Sequence, residues 1–155
     1  MIYSTTTVPV NPRGEVPLTR SQAWRGLVLK ARDAREFLPS NLCTRCDIVE
    51  EYSTHIVREA TIAGADLREI ITFEPDAKVT FFQAAGPREG AIINELFEDE
   101  SGELYLRFHG YLGLRGKEPD GAEEQSAQAR MNSDTGYKNA LDSNQFETQH
   151  VRQAA

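Results

Sequence analysis

The chain has 155 residues, 39% of them hydrophobic and 26% charged, a balance that suits a single soluble domain over residues 1–155 with one core. Its formal net charge of −7, with seventeen Lys and Arg spread along the sequence, provides no basic footprint, so nucleic acid is excluded as an expected partner. No apolar run reaches about eighteen residues and residues 1–7 lack a basic segment followed by an apolar one, so membrane insertion is not expected and a cytoplasmic location is.

Residues 2–8 alternate apolar side chains with Thr or Ser, the period of a strand, ended by Pro9, Pro12 and Pro17. Thr19 with Gln22 three residues on is a capping-box pattern, so a helix is expected from there. Ala23, Trp24, Leu27, Val28 and Ala31 form its inward stripe, with Arg20, Arg25, Lys30 and Arg32 off it. A short second helix is expected over residues 33–38, stopped by Pro39. Beyond it the period becomes two, with Leu42, Thr44, Cys46 and Ile48 on one face of a strand. Cys43 and Cys46 resemble half a zinc or redox motif, but no second Cys/His pair follows and His55, His109 and His150 are scattered, so no metal site is expected. Residues three apart on a strand face opposite ways, so the two thiols should not meet.

Residues 54–62 and 67–73 are β-branched runs joined by turn residues, and pairing Ile62 with Leu67 across a four-residue loop makes a hairpin. Arg58, diagonal to Glu69, then shares an inward face with Ile56, Ile71 and Phe73. Three further strands follow, with Phe73 beside Val79, Ile71 beside Phe81 and Glu69 beside Gln83. Then come Gln83 beside Ile93, Phe81 beside Glu95 and Val79 beside Phe97, and finally the inward Leu104, Leu106 and Phe108. His109 and Tyr111 face the other way, as does Asn94 beside Arg107. Residues 113–132 are polar with no clear period and are expected to be a mobile loop or lid. Ser133 or Asp134 can cap a last helix whose inward stripe is Tyr137, Ala140, Leu141, Asn144, Thr148 and Val151.

This order implies an α+β fold in which a curved antiparallel sheet wraps a long C-terminal helix and leaves a cavity between them. With that order in place, the chain resembles the AtaL-like family of the START/SRPBCC helix-grip superfamily. The likeness is carried by Asn11-Pro12, Leu18-Thr19-Arg20, Trp24, Leu27, Lys30-Ala31, Cys46-Asp47-Ile48, Arg58, Arg68-Glu69, Asn94, Leu104, Leu106 and Phe108. It implies the helix-grip fold and a setting in secondary metabolism. Helix-grip proteins include carriers, receptors and polyketide cyclases, so the fold alone names no reaction.

The sequence has no nucleophile elbow, P-loop, dinucleotide fingerprint or His-Glu-x-x-His, which removes the usual support for hydrolase, NTPase and zinc-enzyme readings. What remains is an inward polar set among apolar residues: Arg58, Glu69, Gln83 and Glu95. A carboxylate in apolar surroundings resists ionisation, so Glu95, with no cation in its row, is the expected proton-transfer residue, while Glu69 is expected to be ionised beside Arg58. Arg58 with Glu69 is either a buried structural couple or the polar part of the cavity. Gln83, Phe81, Phe108 and Tyr137 are the candidate substrate contacts, with Tyr137 closing the site from above. The expected activity is that of a cofactor-independent cyclase or isomerase working by acid–base chemistry on a polyketide-like or aromatic intermediate. The alternative is a noncatalytic carrier of a hydrophobic metabolite, and a homodimer stays open for either.

Overall fold

The computed structural model describes all 155 residues. Seven antiparallel strands form one sheet: β1 (Ile2–Pro9), β2 (Cys43–Glu51), β3 (His55–Ile62), β4 (Ala65–Glu74), β5 (Lys78–Ala85), β6 (Arg88–Glu98) and β7 (Leu104–Leu114), in the order β1-β7-β6-β5-β4-β3-β2. Helix α1 (Arg20–Arg32) follows β1, and α2 (Ala122–Asn132) and α3 (Asp134–Ala154) follow β7. The core, with Leu27, Ile56, Ile71, Leu106 and Val151 at its centre, lies between the sheet and the helices.

Local chemistry sets the helix starts. Thr19 Oγ1 accepts from Gln22 N and Gln22 Oε1 from Thr19 N, the capping box expected there. Ser133 caps α3 through Gly136 N. The loop leading into α1 is clasped by Asn11, which accepts from Leu18 N and donates to Leu18 O, while Arg152 of α3 donates to Asn11 Oδ1 and Val10 O.

Helices α1 and α3 pack together where Gly26 meets Val151. A Cβ at Gly26 would lie 2.3 Å from Val151 O, so only glycine permits this approach. One turn along α1 and one turn back along α3, the same facing places Lys30 opposite Glu147, with Lys30 Nζ 3.4 Å from Glu147 Oε2.

Several expectations need correction. Residues 33–38 form turns, and Pro39 begins a short 3-10 turn, Pro39–Asn41, so no second helix precedes it. The β3–β4 hairpin closes on two residues, Ala63 and Gly64, both with positive φ, as a primed turn requires. Ile62 therefore pairs with Ala65, and Arg58 stands directly opposite Glu69 rather than diagonal to it. The slip is an even number of residues, so every side chain keeps its expected face. A register shift in β2 between Cys43 and Arg45 brings both cysteines to the buried side and leaves Leu42 and Thr44 exposed. Residues 113–132 include the end of β7 and all of α2, in place of an irregular connection. There Glu124 is buried and accepts from the backbone N–H of Leu114 and Asp120, which holds α2 to the end of β7.

Candidate active site

The pairs Phe73–Val79, Ile71–Phe81 and Glu69–Gln83 lie as the alternation of apolar residues implies. The next hairpin does not. Phe81 pairs with Ile92, Val79 with Asn94 and Gln83 with Gly90, three residues away from the expected register. An odd slip exchanges the two faces of a strand. Ile92, Asn94 and Leu96 therefore point to the core side of the sheet, and Ile93, Glu95 and Phe97 to the outer face. Glu95 is partly exposed there, 3.2 Å from His109 Nε2 and 3.7 Å from Arg107 Nη1, and Phe97 stacks on Tyr105 beneath the Arg107 guanidinium. Glu95 is thus an acid of an outer-face ion-pair group and takes no part in an interior site. His109 and Tyr111 are on that outer face, as expected.

Tyr137 is also displaced from its expected place: it is 52% exposed and lines an open groove of about 510 Å³ with Tyr3, Thr6, Met131 and Ala140, between β1 and α3.

Arg58, Glu69 and Gln83 do come together. Glu69 Oε1 accepts from Arg58 Nη2 at 2.6 Å and Nε at 3.2 Å, and Glu69 Oε2 accepts from Gln83 Nε2 at 3.0 Å. Arg58 Nη1 turns the other way and donates to Ala31 O at 2.9 Å and Lys30 O at 3.3 Å, carbonyls of the last turn of α1 that have no partner within the helix. With Arg58 2% and Glu69 3% exposed, this is a closed, charge-balanced set that fastens α1 to the sheet.

The second polar group was missed from sequence. Lys30, placed off the inward stripe, is 6% exposed and projects between helix and sheet. Its Nζ donates to Asn94 Oδ1 at 2.6 Å and to Glu147 Oε2 at 3.4 Å, and lies 5.5 Å and 5.4 Å from the ring centroids of Phe81 and Phe108. Asn94 is 1% exposed, and its Nδ2 has no hydrogen-bond partner. Six elements thus deliver Lys30, Arg58, Glu69, Gln83, Asn94 and Glu147 to one interior layer, with Phe81 shared by the two halves.

Signals for the missed residues exist. Lys30 stands at i+7 from Ala23 and i+3 from Leu27, and Glu147 at i+3 from Asn144 and i−4 from Val151, so both occupy inward helical positions. The long methylene stem of lysine lets the residue follow apolar surface to a buried partner.

Cys43 and Cys46 lie beside this layer. Burial pushes the Cys43 thiol up to about 11, and Cys46 nearby adds to the effect. The fold favours the neutral thiol, so its contribution is complete below the unfolded thiol value of about 8.5 and is lost as pH rises from there toward 11. At about pH 8 both thiols are expected to resist dithionitrobenzoate in the native protein and to react only in denaturant. Rapid modification of folded protein would contradict this.

The architecture is shared with solved structures of known proteins. A Zhui aromatase/cyclase from Streptomyces sp. R1128 is 16% identical, with a TM-score of 0.58 over 99% of this chain and 94% of that one. The di-domain ARO/CYC BexL of the BE-7585A biosynthetic pathway is 13% identical, with a TM-score of 0.61 over 99% of this chain and 50% of that one. TTHA0849 from Thermus thermophilus is 12% identical, with a TM-score of 0.61 over 99% of this chain and 98% of that one. At these identities the likeness is one of fold, the α+β helix-grip arrangement. No curated protein matches the chain in sequence. Residues 4–144 match the family model of AtaL, acetylaranotin biosynthesis cluster protein L, and the chain belongs to that family.

Proposed function

We propose that this protein binds a polyketide-like or aromatic small molecule between α3 and the sheet and promotes its cyclisation or isomerisation by acid–base chemistry without a cofactor. The observation that carries this reading is the interior layer itself. Beyond the Arg58–Glu69–Gln83 set that fastens α1, two more buried charges, Lys30 and Glu147, and a buried amide with an unpaired donor, Asn94, stand where hydrophobic residues of similar volume would serve the fold about as well. Retaining them is expected where polar groups are needed for a ligand. Family membership and the fold shared with aromatase/cyclases support the same class of chemistry.

The groove beside Tyr137 is the proposed mouth. Glu147 lies ten residues further along α3, roughly 15 Å away along the helix axis. Leu141 and Asn144, whose Nδ2 donates to Thr6 Oγ1, stand between the two along the helix and are the side chains a ligand must move. Of the interior acids, Glu69 has both oxygens engaged, which leaves Glu147 as the proton carrier in place of Glu95.

The test is turnover by the purified protein. An aryl 1,3-dicarbonyl chain offered as its N-acetylcysteamine thioester is expected to close its ring faster with protein than without. Retention of the thioester with no acceleration would favour a carrier, and neither retention nor acceleration would remove both readings.

A further inference from the structure

Asn94 Nδ2 is a fully buried donor with no partner, in an interior where such groups are nearly always paired. The amide cannot be reversed to cure this, because Oδ1 must face the Lys30 ammonium 2.6 Å away and an NH₂ in its place would set donor against donor. Nδ2 therefore sits on the same carboxamide as the oxygen bound to Lys30, so the two donors are neighbours. The ammonium has three N–H groups. One goes to Asn94 and one more loosely to Glu147, which leaves a third with no oxygen acceptor on a nitrogen 5.5 Å and 5.4 Å from the ring centroids of Phe81 and Phe108. Two adjacent free donors, one of them charged, flanked by aromatic rings, suit one oxygen with two lone pairs on a flat conjugated molecule.

We infer that Lys30 Nζ and Asn94 Nδ2 form a subsite for the carbonyl or enolate oxygen of an aromatic ketone, with Glu147, across the ammonium, as the group that takes the proton from the adjacent carbon. This rests on the interior layer being the small-molecule site. In the step, the Glu147 carboxylate accepts the proton of the C–H next to the carbonyl. The C–H electron pair becomes the carbon–carbon double bond of the enolate, and the carbonyl π pair moves to the oxygen held by Lys30 and Asn94. The enolate carbon then either recovers a proton from Glu147 or attacks a second carbonyl carbon of the same molecule, whose oxygen takes that proton. Nothing is oxidised or reduced.

The experiment compares 1-tetralone with tetralin, which has the same rings and no oxygen. Equilibrium dialysis measures binding, and NMR in D₂O measures deuterium exchange at the carbon next to the carbonyl. The wild-type protein is expected to bind tetralone at least about tenfold more tightly than tetralin and to accelerate exchange. Asn94→Asp keeps the acceptor for Lys30 and removes the donor. It leaves the Lys30 donor in place and adds a buried charge. With binding measured under conditions where the variant is folded, it is expected to shrink the tetralone preference severalfold, and an unchanged preference would overturn the Asn94 half of the subsite. Lys30→Met, by contrast, would strand the Glu147 charge. Glu147→Gln is expected to keep the preference and lose the exchange.

Equal binding of both compounds by wild-type protein would overturn the subsite and leave the small-molecule reading standing. Exchange that survives Glu147→Gln would overturn the proton role. Failure of both compounds to bind would defeat the underlying reading and the inference with it.

Discussion

Replacing Arg58 with alanine is expected to cost about 3–5 kcal/mol of folding stability, the range for breaking a buried ion pair from one side. The cost comes from what stays behind. Glu69 would be left at 3% exposure with only Gln83 donating to it, and the carbonyls of Lys30 and Ala31 would lose their donor. Replacing both partners at once, Arg58→Met with Glu69→Leu, leaves no uncompensated charge and is expected to recover most of the loss. Urea denaturation of the variants checks this. A loss below about 1 kcal/mol for Arg58→Ala would mean that the pair is not the fastening between α1 and the sheet.

Gly26→Ala carries the second large effect. Alanine should gain about 1 kcal/mol in helix propensity over glycine. The new methyl, however, would lie 2.3 Å from Val151 O and 2.8 Å from Val151 Cγ1, and backbone cannot yield as a side-chain tip can. The helices must separate, and a net loss of about 1–3 kcal/mol is expected. Function should suffer beyond stability, because this contact sets the helix facing that brings Lys30 to Glu147 and Asn94. Chemical denaturation and tetralone affinity, measured on the same sample under conditions where the variant is fully folded, separate the two effects. A variant as stable as the parent and equal in affinity would contradict the helix-pair register.

The fold was legible wherever one residue type had one reading. Thr19 and Gln22 announced α1, and the alternation through Ile71, Phe73, Val79 and Phe81 gave the β4–β5 pairing residue by residue. Legibility failed at β6, where Ile92 and Leu96 lie on one face and Ile93 and Phe97 on the other, so apolar parity was satisfied either way. The turn at Gly86 and Pro87 then decided the register, and with it the exchange of Glu95 for Asn94 in the interior. Residues 113–132 were obscure for a related reason. The helix α2 is polar along most of its length and is held by Glu124 and by Gln128, which bonds the Tyr3 backbone, so it has no apolar stripe to read. Lys30 and Glu147 were hidden by their charge, although their helical spacing pointed inward.

The interior placement of the ligand oxygen can be observed at one pair of protons. In a ¹H–¹⁵N spectrum of uniformly labelled protein, the side-chain NH₂ of Asn94 should shift when 1-tetralone is added and stay in place with tetralin, as Nδ2 gains the acceptor it lacks. An Asn94 amide indifferent to both, with the changes confined to Tyr3, Thr6 and Tyr137 around the outer groove, would place the ligand outside the sheet–helix interior and contradict the proposed site.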